Sequence, residues 1–314
     1  MKSDHTISAE DEGIRLDRWF KRHKPGIPHA LLEKNLRKGN IRLDGKKVKS
    51  SDRLQAGQVL SVPPIKIDTA RPKQRYVPTK EEAAELQSWV LHKDDQVIAI
   101  NKPSGLPVQG GSKVKRCLDD MLDALKFDGE RPKLTHRLDR DTSGVLLLAR
   151  TSKAATFLTR QFADKTTQKT YLALVHGTPH PLEGLIEDRL AKGTPEDNDY
   201  EIMAPDDDGK PASTWYRVLE SLAGKFAVVE LSPKTGRTHQ LRVHMQSKGC
   251  PIVGDRKYGG ATEAGLALDI EDRLHLHAWK ISFQQKNGKM REVVAPLPPH
   301  MKTSFKSLEI EIAE

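Results

Sequence analysis

From Trp89 onward, strand-forming segments follow one another without regular intervening helices, and this order constrains the fold more than any other feature of the chain. Residues 90–92 and 96–101 flank a Lys93-Asp94-Asp95 turn, residues 168–175 alternate in polarity, and 215–220, 226–231, 274–283 and 291–295 read as further strands. Helices are predicted at 152–164 and from Thr238 to about Gly249. Parallel neighbours need long crossovers, whereas successive strands pair antiparallel through short turns. The pattern therefore predicts an α+β domain over residues 89–314 built on a mostly antiparallel sheet, not a doubly wound one.

A separate small unit is predicted over residues 14–64. Ile14, Leu16, Trp19 and Phe20 recur at helical spacing, and a second helical stretch runs from Pro28 to Lys38 and stops at Gly39. Ile41-Arg42-Leu43 and Lys46-Lys47-Val48 then flank an Asp44-Gly45 turn, the signature of a β-hairpin. A short strand at 58–62 ends at Pro63-Pro64, and residues 65–88 read as a linker in which 80–87 could form a short helix.

Charge separates the two parts. Residues 14–68 hold 14 Lys and Arg against 5 Asp and Glu, which accounts for the whole net charge of +9. A compact basic module predicts a polyanionic partner, nucleic acid above all. No apolar run of about 18 residues is present to span a membrane. The polar, acidic N-terminus lacks the apolar core of a secretion signal. Cys117 and Cys250 stand far apart in no metal-ligand spacing. Together these predict a cytoplasmic protein without a disulfide framework.

The densest concentration of chemistry is Leu134-Thr135-His136-Arg137-Leu138-Asp139-Arg140-Asp141-Thr142-Ser143-Gly144, running into an apolar strand at 145–149. Polar loops delivered by buried strands commonly carry sites. Read by residue type alone, His136, Asp139 and Asp141 are possible metal ligands, Ser143 is a possible nucleophile, and His136-Arg137-Leu138-Asp139 has the look of a kinase catalytic loop. Each reading lacks a companion feature. No His-x-x-x-His or similar ligand spacing accompanies the first, and no Gly-x-Ser-x-Gly the second. The third lacks a Gly-rich loop and an Asp-Phe-Gly. Structural ion pairing of Asp139 and Asp141 is the bland alternative. Lys102 and the Gly110-Gly111-Ser112-Lys113 turn do not make a P-loop. His275 and His277 share a side of their strand and read as satisfied sheet residues.

The full string His136-Arg137-Leu138-Asp139-x-x-Thr142-Ser143-Gly144 resembles the signature of the RluA family of pseudouridine synthases. Three further blocks match in family order. They are Ile100-Asn101-Lys102-Pro103-Ser104-Gly105-Leu106, then Lys169-Thr170-Tyr171-Leu172-Ala173-Leu174-Val175-x-Gly177, and then Thr235-Gly236-Arg237-Thr238-His239-Gln240-Leu241-Arg242-Val243-His244, continued by Gly249-x-Pro251-Ile252-x-Gly254-Asp255-x-x-Tyr258-Gly259. The resemblance covers almost all of residues 89–300, with 182–208 the least family-like stretch. Residues 14–64 resemble the S4 RNA-binding domain, a known companion in this family. The string from Asp139 to Gly144 most resembles the RluC-like branch, which modifies several sites in 23S rRNA.

The resemblance implies isomerisation of uridine to pseudouridine: the N1–C1′ bond is cut, the base turns, and C5 joins C1′. No redox change or group donor is involved, so no cofactor and no metal are expected. The resemblance places the essential carboxylate at Asp139, a guanidinium that keeps it ionised at Arg242, and a tyrosine that stacks on the target base and assists loss of the C5 proton at Tyr171. It makes Arg137 the residue that fills the gap left by the flipped nucleotide; flipping is required because a stacked uridine hides C1′ and C5. Lys21, Arg22, Lys34, Arg37, Lys38, Arg42, Lys46 and Lys47 are the expected phosphate contacts of the N-terminal unit. The expected partner is RNA, 23S rRNA or a large-subunit precursor, and the expected state is a monomer. A non-catalytic RNA-binding assembly factor is the competing reading, and it predicts a defect in the set Asp139, Tyr171 and Arg242 that this sequence does not have.

Overall fold

The computed structural model describes residues 3–65, 76–110, 116–193, 202–259 and 270–312. The chain divides into two compact units, Met1–Gln74 and Arg75–Glu314. Of the Gly110-Gly111-Ser112-Lys113 turn, residues 111–113 lie outside the described residues, as does part of the 182–208 stretch.

In the smaller unit, helices α1 (Leu16–His23) and α2 (His29–Arg37) pack on a four-stranded sheet, in the order β1 (Ser3–Thr6), β4 (Val59–Val62), β2 (Arg42–Leu43), β3 (Lys46–Lys47). One core holds it: Leu16, Trp19 and Phe20 from α1, Leu32 and Leu36 from α2, and Ile41, Leu54 and Leu60 around the sheet. The helix and hairpin expectations hold. The unit nevertheless begins earlier than residue 14, because β1 pairs antiparallel with β4 from Ser3↔Val62 to Thr6↔Val59 and Ile7 joins the core.

The larger unit also begins earlier than expected. Helix α3 (Lys80–Ser88) belongs to it rather than to a linker. Thr79 and Glu82 close both ends of a capping box, and Leu86 is buried among Ile98, Met121, Leu138 and Leu148. The unit's described strands form an eleven-stranded sheet, ordered β11 (Ile202–Pro205), β10 (Glu183–Gly193), β12 (Lys210–Leu222), β13 (Phe226–Pro233), β9 (Gln168–His176), β14 (Leu276–Gln284), β8 (Ser143–Ala149), β6 (Val97–Lys102), β5 (Val90–Lys93). Strand β15 (Met290–Val294) pairs with β14, and β7 (Lys133–Leu134) with β8. All these pairs are antiparallel except β8 with β14. Further helices among the described residues of the unit are α4 (Leu118–Met121), α5 (Ser152–Ala163), α6 (Gln240–Ser247) and α7 (Pro299–Ser307).

From Val145 to Ala149 strand β8 is apolar because both faces are covered. Leu146 and Leu148 pack with Leu86, Ile98 and Leu138, while Val145, Leu147 and Ala149 pack with Leu158 of α5 and Phe283 of β14. Its start is fixed by a backbone contact. Gly144 sits at φ 110 opposite Ala278, and a Cβ there would lie 2.2 Å from the Ala278 carbonyl oxygen. Only glycine meets both conditions. The loop before β8 is thus delivered from the centre of the sheet, beside β14 and β9.

Candidate active site

The loop 135–142, the N-terminal half of β9, the turn 232–239 and the start of α6 surround a cavity of about 770 Å³. Arg137, Asp139, Tyr171 and Arg242 all line it, so residues separated by more than a hundred positions in sequence share one space. Asp139 is half-buried, and its carboxylate has no hydrogen bond or ion pair with a described residue. Its charge nevertheless reaches Tyr171 and His239, and more weakly Lys102, Arg242 and Tyr258, where Asp141 or Asp255 acts more strongly.

Arg242 differs from the expectation. Its fork closes on Asp255, with Nε donating at 2.7 Å and Nη2 at 2.6 Å, and both side chains are almost fully buried. Arg242 therefore does not pair directly with Asp139; it is fixed by Asp255 and feels Asp139 as a nearby charge. Burial opposes its charge, and Asp255 more than restores it, so its pKa rises. Asp255 in turn accepts from the backbone N–H groups of Lys257 and Tyr258. It is positioned by Gly254, whose φ of 74 and close approach to the Arg273 carbonyl leave no room for a Cβ. The Tyr258 ring lies 5.0 Å from the Arg242 guanidinium, and its hydroxyl shares a 2.8 Å hydrogen bond with His239 Nδ1. His239 is in the left-handed region at φ 52, so α6 begins at Gln240 rather than at Thr238. Gln240 anchors the turn: its Nε2 donates to the Ser213 carbonyl and to Thr214 Oγ1, and its Oε1 accepts from Thr235 Oγ1 and the Arg237 N–H.

On the opposite wall, burial and the Asp139 charge push the Tyr171 phenol upward, so it is neutral at physiological pH. Arg137 is exposed at the mouth and has no ion pair with a described residue, so pairing with a neighbouring aspartate does not occupy it. His136 is spent structurally: Nε2 accepts the Leu147 N–H at 2.9 Å, the ring stacks on Phe162 at 4.4 Å, and burial pulls its pKa down to about 3. Ser143 is also spent. Its hydroxyl is buried and bonded to His277 Nδ1 at 2.9 Å, away from the cavity lining. Asp141 is exposed beside Arg140.

Beneath the loop lies a residue that the sequence left without a role. Lys102 is 0% exposed, and its ammonium donates to the carbonyls of Pro103, Leu106 and Arg140 at 2.9–3.0 Å. It clasps the turn after β6 to the Asp139 loop, and these three bonds take up its donors. Burial pulls its pKa down to about 7, against the upward pull of Asp141 and Asp139. Asp255, Tyr258 and Lys102 all stand in the matching blocks, but no local pattern in the sequence assigns them these contacts.

In the smaller unit, Lys21, Arg22, Lys34, Arg37, Lys38, Arg42, Lys46 and Lys47 are all exposed. Two of them are partly committed. Arg22 pairs with the buried carboxylate of Asp11 at 3.0 Å, which removes it from the set of free cations. Arg42 donates to the carbonyls of Gly39 and Gly45 and so closes the hairpin, while keeping its charge exposed.

The cavity and its fold belong to a known class. The family model described as RNA pseudouridylate synthase matches residues 96–247. The ribosomal large subunit pseudouridine synthase C of Escherichia coli (strain K12) is 36% identical over 310 residues, covering 96% of this chain and 95% of that protein. The protein of the same description from Vibrio cholerae is 37% identical over 302 residues, covering 95% and 94%. A solved human structure, RNA Pseudouridylate Synthase Domain Containing 4, superposes with a TM-score of 0.63 at 29% identity, over 74% of this chain and 97% of that one. The chain belongs to the RNA pseudouridylate synthase family. Within it, the chain falls in the RluC-like branch of the RluA group, as the motif blocks implied.

Proposed function

We propose that this protein isomerises specific uridines of large-subunit rRNA to pseudouridine, with Asp139 as the carboxylate that acts at C1′. The observation that carries the reading is the position of Asp139: half-buried on the cavity, bonded to no described residue, and with a charge felt by Tyr171, His239 and Arg242. A carboxylate spent on an ion pair would be a poor nucleophile; this one is left available. The choice of large-subunit rRNA is supported by the relatives in Escherichia coli and Vibrio cholerae, both named ribosomal large subunit pseudouridine synthases.

In this reading a uridine is flipped out of the RNA, and Arg137, unpaired at the mouth, enters the space it leaves. Asp139 forms a bond to C1′ as the N1–C1′ electron pair leaves with the uracil. The freed uracil turns, its C5 attacks C1′ and displaces the Asp139 carboxylate, and the C5 proton then passes to solvent while N1 takes one up. Tyr171 packs on the base as a neutral phenol. Its raised pKa supports packing and hydrogen-bond donation rather than proton removal by a phenolate. Arg242, locked on Asp255, supplies a fixed positive charge that feels Asp139 and lines the same cavity. The smaller unit, read as an S4-like domain, adds affinity through phosphate contacts from Lys21, Lys34, Arg37, Lys38, Arg42, Lys46 and Lys47. The protein works as a cytoplasmic monomer.

The test is release of tritium from in vitro transcribed 23S rRNA labelled at uridine C5. Wild-type protein should release it, and Asp139→Asn should release none above background while binding the same RNA. Release by Asp139→Asn at the wild-type rate would remove Asp139 from the chemistry.

A further inference from the structure

One wall of the cavity carries polar groups that isomerisation at Asp139 leaves unused. Thr167 is 6% exposed, and its hydroxyl has no hydrogen-bond partner among the described residues. Lys169 is half-buried with no ion pair to a described carboxylate, and burial alone pulls its pKa down. Both line the cavity. A buried hydroxyl without a partner and a desolvated ammonium without a counter-charge are each unfavourable. Side by side on a cavity wall, they are a site waiting for an anion with acceptor oxygens.

The strand sets what that anion is. Lys169 and Tyr171 are alternate residues of β9, so they face the same side and stand roughly 6.6 Å apart along the strand. Thr167 immediately precedes β9, two residues before Lys169. A base packed on Tyr171 therefore has its own backbone phosphate within reach of Lys169. Phosphate oxygens satisfy both a Lys ammonium and a Thr hydroxyl.

We propose that Thr167 and Lys169 form a phosphate subsite that grips the RNA backbone next to the flipped uridine, so that its sugar comes to rest against Asp139. The inference depends on the uridine-isomerase reading of the cavity. Lys169 here is a positioning residue that touches the substrate's phosphate and not its reacting atoms.

The experiment uses the full-length enzyme and a synthetic RNA fragment spanning a uridine mapped as a substrate. The phosphates 5′ and 3′ of that uridine are replaced, one at a time, by neutral methylphosphonates. In wild-type enzyme one replacement should lower kcat/KM about tenfold, the loss of one charge-assisted contact. Lys169→Met should lose a similar factor on the unmodified fragment, and the same replacement should then add less than about twofold, because the contact is already gone. Lys169→Arg should retain most activity. Thr167→Val should raise KM while its Tm holds or rises, because an unpaired buried hydroxyl is removed; a merely structural threonine would lower Tm. Independent, multiplicative losses from Lys169→Met and both methylphosphonates would overturn the subsite. Asp139→Asn run in parallel separates the two claims: if it turns over the fragment, the isomerase reading fails. If it is inactive while the losses multiply, the subsite alone fails.

Discussion

In the Met1–Gln74 unit, Lys21, Lys34, Arg37, Lys38, Lys46 and Lys47 stand exposed on the surface with no ion pair to a described residue. Around the cavity of the Arg75–Glu314 unit the buried charges are assigned. Lys102 is clasped by three carbonyls and Arg242 is locked on Asp255, while the half-buried Asp139 carboxylate has no ion pair with a described residue. Exposed charges act in sum: each adds a little affinity, none is indispensable, and salt screens them all. Buried charges act by position: each is held by a specific neighbour, and removing one strands another. The same residue types therefore do different work, and the difference can be tested residue by residue.

The largest effect belongs to Asp139. Asp139→Asn should lower turnover by on the order of 10⁴-fold or more while leaving Tm and RNA affinity nearly unchanged. Coupled loss of turnover and binding would make Asp139 structural and erase the contrast. Next is the ion pair behind it. Arg242→Ala should destabilise the larger unit by about 3–5 kcal/mol, because Asp255 is left buried and uncompensated, and Arg242→Lys should restore little, since an ammonium cannot make the two-pronged contact. Thermal denaturation of both variants measures this; a shift under 1 °C for Arg242→Ala would show the pair is energetically idle.

Neutralising Lys21, Lys34, Arg37, Lys38, Lys46 and Lys47 together in the full chain should weaken RNA binding and flatten its salt dependence by several units of slope, with kcat unchanged. Each single substitution should change the slope by about one or less. A single lysine that removed most of the affinity would mean the surface works by position after all. Acid should then distinguish the cores. His275 and His277 are fully buried, and burial pulls both down to about 4 from 6.5. The folded state binds fewer protons than the unfolded one between those values. The penalty is therefore absent above about pH 6.5 and grows as pH falls toward 4, so stability of the larger unit should drop across that window. Denaturant midpoints at pH 7 and pH 4.5 test the sign; an unchanged midpoint would place these histidines in contact with water.

Much of this was legible in the sequence, for physical reasons that differ between regions. The helices and hairpin of the smaller unit carry the periodicities of half-buried elements, and β8 shows the unbroken apolar run of a strand covered on both faces. The cavity was legible through the motif blocks that resemble the family, because Arg137, Asp139, Tyr171 and Arg242 stand in them and all line one space. Strand β10 was not. Its inward apolar residues, Ile186 and Leu190, are four apart, and Asp188 takes the inward position between them, so no alternation of period two survives. It is a strand because β12 pairs with it from Glu183↔Arg217 to Leu190↔Lys210. The partner of Arg242 was also hidden: Asp255 is 13 residues away, and only the turn at Gly254 brings it back. Likewise, the unit boundaries moved because β1 and α3 gain their stability from tertiary partners that local composition does not reveal.

The most direct measurement of the central claim is carbodiimide mapping of pseudouridine in rRNA and tRNA, read by primer extension, in cells lacking this gene and in the same cells complemented with wild type or Asp139→Asn. The account predicts that specific large-subunit rRNA stops disappear, return with wild type, and do not return with Asp139→Asn. Restoration of those stops by Asp139→Asn, or their persistence without the gene and without any activity of the purified enzyme on the same RNA, would contradict it and leave an RNA-binding assembly factor as the better description.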